Sequence, residues 1–133
     1  PSSELISYVN NEWGIEFKYP SNYSVENSFD KNRINVLYPS FVARDGLGSV
    51  SIFLTTMDFQ NFKDSLNKPE DYSKIIEEKE FVIDNKKGTM LVHTTAIGLD
   101  KSVVFIEHEG KNFLINYPNH PVQQEIFNSI NFI

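Results

Sequence analysis

A chain of 133 residues with 18 acidic and 12 basic side chains has a formal charge of −6, without the basic footprint that a nucleic-acid binder or a protein docking on anionic lipid needs. Its 40% hydrophobic and 14% aromatic content suits a packed core rather than a disordered chain. With no cysteine, disulfides, thiol catalysis and cysteine-ligated zinc are excluded, and no apolar run reaches the roughly 20 residues that cross a bilayer as a helix.

Residues 1–12 read as a polar N-terminal leader or linker and 13–133 as a single domain. Pro1-Ser2-Ser3-Glu4 lacks the basic start and apolar stretch of a signal peptide. A start on Pro reads as a trimmed or mature form, with room upstream for an export signal or lipid anchor. Ile15, Phe17 and Tyr19 alternate with Glu16 and Lys18, the period of a strand, and Pro20 ends it. Ser24–Phe29 and Ile34–Tyr38 read as the next two strands around an Asp30-Lys31-Asn32 turn. Ala43 to Gly48 is a glycine-containing loop, and Val50–Thr55 is a β-branched strand.

Asp58 is placed to cap a short helix that carries Phe59, Phe62 and Leu66 on one face. Pro69 suits the first turn of a second helix through Tyr72, Ile75 and Ile76, with Glu77-Glu78-Lys79-Glu80 as its solvated end. An antiparallel meander follows. Glu80–Asp84 turns through 85–88 into Thr89–Ile97, then through Gly98–Lys101 into Val103–Glu109, then through Gly110-Lys111 into Asn112–Tyr117. Pro121 opens a final helix with Val122, Ile126 and Ile130 in register, and Asn131–Ile133 adds a short edge strand.

Alternation along the meander puts Met90, Val92, Val104, Ile106, Phe113 and Ile115 on one face and Leu91, Val103, Phe105 and Leu114 on the other. Two apolar faces need two covers. The expected fold is α+β, with helices on both faces of a central, mostly antiparallel sheet of about seven strands.

Two segments resemble a known family. Trp13-Gly14-Ile15-Glu16-Phe17-Lys18-Tyr19-Pro20 is similar to the Gly-apolar-x-Phe-x-Tyr-Pro opening of PsbP-like domains, and Ile126-Phe127-Asn128-Ser129-Ile130-Asn131-Phe132 to their closing Ser-apolar-x-Phe. The resemblance implies an α/β/α sandwich and a binding rather than catalytic role. Plant members of that family are extrinsic subunits on the lumenal side of photosystem II. A branch with the same fold binds the GTPase Ran, and many bacterial relatives resemble secreted proteins or lipoproteins. None of the family's functional residues transfers, because these motifs are packing signatures. A composition rich in Lys, Asn and Ile favours a bacterial relative of that exported or lipid-anchored kind.

Chemistry-bearing constellations are few. A two-residue Gly110-Lys111 turn, with Gly98–Ser102 as the preceding turn, sets His93 opposite Glu107 with Glu109 two residues along. That would be a cross-strand polar pair or a metal site of His93, Glu107 and Glu109. His108 reads as a sheet-end residue, His120 as a helix start, and Trp13 as a core or rim anchor. No Gly-x-Ser-x-Gly elbow or phosphate loop is present. The expectation is a non-enzymatic, extracytoplasmic, monomeric domain without a cofactor. It would recognise an unidentified protein through Phe41, Arg44 and Leu47 of the 39–49 loop. The alternative is a small-molecule or divalent-metal binder built on the His93/Glu107 cluster.

Overall fold

The computed structural model describes residues 4–26, 32–37, 49–68, 70, 72–96, 98, 100–118 and 121–133. These residues form mostly strand, with two helices: β1 Leu5–Asn10, β2 Ile15–Pro20, β3 Ser24–Glu26, β4 Arg33–Leu37, β5 Ser49–Thr55, α1 Phe59–Leu66, β6 Ile75–Ile83, β7 Lys86–His93, β8 Lys101–His108, β9 Lys111–Asn116, α2 Pro121–Asn128 and β10 Asn131–Phe132. Strands β1, β2 and β10 make a three-stranded sheet, and β3 to β9 belong to a seven-stranded one. The chain divides into two compact units, Pro1–Phe53 with Pro118–Ile133, and Leu54–Tyr117.

In the first unit, β2 is the strand that alternation predicts, with Ile15 and Phe17 buried. It is flanked by β1 and β10, both antiparallel to it. Leu5–Asn10, expected within the leader, is therefore a strand: it pairs with β2 residue for residue from Leu5↔Pro20 to Asn10↔Ile15. Asn10 shapes the connection, its Oδ1 accepting from the Trp13 amide at 2.9 Å, and Trp13 is buried as a core anchor. Helix α2 starts at Pro121, whose fixed φ suits a first helical position, and packs against β2. At its end the Ser129 hydroxyl accepts from the Lys18 amide at 2.8 Å. β4 pairs with β3 and β5, and the Arg33 guanidinium lies 4.9 Å from the ring centre of its cross-strand partner Phe53.

In the second unit, β6 to β9 form the expected antiparallel meander. The register matches Met90↔Val104↔Ile115 and Leu91↔Val103, Phe105↔Leu114, so the two faces hold the residues that alternation assigns to them. Helix α1 covers the second face. Phe62 packs with Leu91, Val103 and Phe105, and Phe59, Leu66, Ile75 and Leu114 border them. The Phe105 ring meets Phe59 edge-on at 5.5 Å and stacks on Phe62 at 5.9 Å. Asp58 caps this helix as its position predicts, accepting from the Asn61 amide at 2.8 Å. Asp58→Ala is expected to cost about 1 kcal/mol and Asp58→Ser much less, read from urea unfolding midpoints.

The second helix, expected from Pro69 to the 77–80 charge run, does not continue past Glu70 among the described residues. Tyr72 takes a left-handed φ of +59°, which ends any right-handed helical path. Lys74 then pairs with Thr94: its amide donates to Thr94 Oγ1 at 3.1 Å and its carbonyl accepts the Thr94 amide at 2.9 Å. The β-branched Ile75-Ile76 thus starts β6, and the 77–80 charge run lies on an exposed strand.

Candidate functional site

Helix α1 is eight residues long, so it covers only part of the strands beneath it. Beyond Phe59 the same sheet face opens into a depression of about 350 Å³. Its floor is Phe105, Ile106, Gly88 and Thr89, and its polar groups are Glu80, Lys87 and Glu107. Strand alternation delivers these groups to one face: Glu80 lies opposite Thr89, and Thr89 opposite Phe105. Two carboxylates, one ammonium and an aromatic floor suit weak polar contact. Among the described residues, no group of three His, Asp or Glu side chains is arranged to hold a metal ion.

His93, Glu107 and Glu109 do not come together. His93 lies opposite Lys101, and Glu107 opposite Asn112. From Lys101 to Glu107 the strand advances six residues, about 20 Å at strand rise. Two turns account for the difference. The first lies between His93 and Lys101, which are paired, rather than over Gly98–Ser102, and the β8–β9 turn is Glu109-Gly110, both at positive φ, rather than Gly110-Lys111. The His93 ring Nδ1 sits 3.2 Å from the Thr94 carbonyl. Glu109 occupies the turn, with its carboxylate 3.9 Å from Nε2 of the buried His108. The metal-site geometry inferred from the sequence is thus corrected by the register. Divalent cations are expected to leave the melting temperature unchanged within error, equally in native chain and His93→Ala, in a thermal-shift series with and without chelator.

Phe41, Arg44, Leu47 and His120 lie outside the described residues. Glu80, Lys87 and Thr89, which line the depression, were not singled out from sequence. They sit in a charge run and a lysine pair whose composition resembles any solvated edge. Only the Asp84-Asn85 hairpin, which aligns Glu80 with Thr89, brings them together.

Among the described residues no helix is long and apolar enough to cross a membrane. No protein-family model and no curated protein matches the chain. Solved structures do. The solution structure of cyanobacterial PsbP (CyanoP) from Synechocystis sp. PCC 6803 matches with a TM-score of 0.62 and 12% identity, covering 100% of this chain and 95% of that one. The crystal structure of the Saccharomyces cerevisiae Ran-binding protein Mog1p matches with a TM-score of 0.55 and 13% identity, over 98% of this chain and 96% of that one. Both likenesses run the full length of the chain, as the opening and closing motifs imply: this chain has the PsbP-like fold.

Proposed function

We propose that this chain is a non-enzymatic binding or accessory domain that acts by recognising another protein outside the cytoplasm. The observation that carries the reading is the full-length likeness to two proteins, one a Ran-binding protein and the other cyanobacterial PsbP. The recognition segment is the 39–49 stretch with Phe41, Arg44 and Leu47. Its attachment supports this. Leu37 at the end of β4 pairs with Ser49 at the start of β5, so residues 38–48 leave and rejoin one end of a strand pair. That connection is longer than the about two to five residues of common hairpin loops, and binding residues are disproportionately carried on connections held by a rigid scaffold.

The test begins by crosslinking the chain to partners in an extracytoplasmic extract. The captured protein is then purified and its affinity measured by calorimetry. A variant with Phe41→Ala, Arg44→Ala and Leu47→Ala together is expected to lose at least about tenfold in affinity with an unchanged melting temperature. Equal affinity for both chains rejects this segment as the recognition surface, and a purified partner that does not bind the native chain rejects the recognition reading.

A further inference from the structure

Four strands stand at the ends of their sheets, β3 and β6 in the larger and β1 and β10 in the three-stranded one; β3 and β10 are only three and two residues long, which leaves β6 and β1 as the long edges. The sequence treats these edges differently. β6 carries Glu77-Glu78-Lys79-Glu80 in exposed positions and a register irregularity between Ile75 and Glu77. Charge and a bulge are the common devices that stop an edge strand pairing with another chain. β1 has neither. It reads Leu-Ile-Ser-Tyr-Val-Asn, with no charge and no proline, and its register with β2 is unbroken. Leu5, Ile6 and Val9 are 61%, 40% and 51% exposed, and among the described residues no strand pairs with its outer side.

The direction of the free backbone groups follows from one hydrogen bond. The Ser21 amide donates to the Glu4 carbonyl at 2.8 Å. In an antiparallel ladder the hydrogen-bonded positions alternate, so Ile6, Tyr8 and Asn10 also turn toward β2. Leu5, Ser7 and Val9 turn their amides and carbonyls outward.

We propose that β1 pairs edge to edge with β1 of a second copy of this chain, antiparallel, about a two-fold axis at Ser7. In that register Leu5 faces Val9 of the second copy, Ile6 faces Tyr8, Ser7 faces its own counterpart and Glu4 faces Asn10. Each apolar side chain meets an apolar one, and the contact is self-complementary, as two-fold interfaces require. Apolar matching selects this register between two molecules that each carry −6. Moved two residues one way, Leu5 would face Ser7 and Tyr8 would face Glu4; moved two the other way, Ile6 would face Asn10 and Val9 would face Ser7. The neutral strand also gives two such molecules a place to meet without direct repulsion. Six residues a side is small beside the about 20–30 of a stable interface, so the dimer forms in the concentrated regime. The inference stands apart from the recognition reading above and rests on no residue used there.

The test exploits the absence of cysteine. Ser7→Cys places a lone thiol on the axis, where Cα atoms of a hydrogen-bonded antiparallel pair lie about 5.5 Å apart, within disulfide reach. It is expected to give a disulfide-linked dimer whose yield rises with protein concentration. Leu5→Cys alone sets the two thiols about 14 Å apart along the strands and should not crosslink, whereas a mixture of Leu5→Cys and Val9→Cys should. Ser7→Glu, with an exposed side chain opposite Lys18 of β2, is expected to abolish self-association in sedimentation equilibrium without lowering the melting temperature. The proposal is overturned by equal crosslinking of Ser7→Cys and Leu5→Cys, or by a native chain that shows no concentration-dependent association.

Discussion

Phe105→Ala is expected to lower the unfolding free energy by about 3–5 kcal/mol, the largest loss of any single truncation under α1. Phe105 lies at the centre of the face that α1 covers. Its ring meets both Phe59 and Phe62, and its backbone pairs with Thr89 on one side and Leu114 on the other. Truncation removes the apolar area of the ring, leaves a cavity that two strands cannot close, and deletes two ring–ring contacts worth about 0.5–1.5 kcal/mol each beyond burial. Urea unfolding followed by far-UV circular dichroism reads the change. Phe62→Ala in the same background should cost much less than it does alone, because its stacking partner is already gone. Additive losses would show that the two rings do not share one packed cluster.

Gly88→Ala is the second large effect, and its cause is steric rather than conformational. A Cβ at Gly88 would stand 2.7 Å from the Phe105 carbonyl oxygen and 3.0 Å from Ile106 Cβ. The oxygen belongs to a backbone held between two strands and cannot swing aside, so the β7–β8 pair must spread at that point. Overpacking of this kind costs about 1–3 kcal/mol, and Gly88→Val should exceed Gly88→Ala. Gly110 provides the contrast. It has open space around a Cβ and a φ of +78°, so Gly110→Ala suffers only the left-handed backbone term, about 1–2 kcal/mol, and Gly110→Asn should recover part of it. If Gly88→Asn likewise recovered the stability lost in Gly88→Ala, the close approach would not be the cause. Melting temperatures of the five variants decide this.

Faces and pairings were not equally legible in the sequence. Apolar alternation assigned Met90, Val104 and Ile115 to one face and Leu91, Val103 and Phe105 to the other, and the structure agrees. Yet the expected pairings were displaced: His93 was set against Glu107 and lies against Lys101, and Glu107 was set against Leu114 and lies against Asn112. Both displacements are even numbers of residues. An even shift keeps every side chain on its face, so the period of two that reveals the face is blind to the register. Register is fixed by the turns, and composition does not place these. Lys86, Lys87 and Gly88 look like a turn by composition, but the turn is Asp84-Asn85, both at positive φ, as a two-residue hairpin of mirror type requires.

The early stop of the helix expected from Pro69 has the same origin. Its apolar spacing was correct for a helix, and the deciding interaction, Thr94 with Lys74, lies 20 residues away. The strand in Leu5–Asn10 was hidden differently, because its apolar residues are exposed and a strand that buries little leaves little pattern. The short helix at 59–66 was legible because cap, length and apolar stripe are all local to it.

The chain also has an order of completion written into its connectivity. The Leu54–Tyr117 unit is continuous, whereas the other joins Pro1–Phe53 to Pro118–Ile133. During synthesis the continuous unit can close its hairpins as soon as they emerge, since its contacts are sequence-local. Strand β2 can pair with β1 at once but must wait for α2 and β10, which are made after the whole continuous unit. Its Lys18 amide meets Ser129 across 111 residues of chain. A nascent chain therefore keeps Ile15 and Phe17 without α2 and β10 until Leu54–Tyr117 has been made, and this is the stage at which a chaperone would have most to hold.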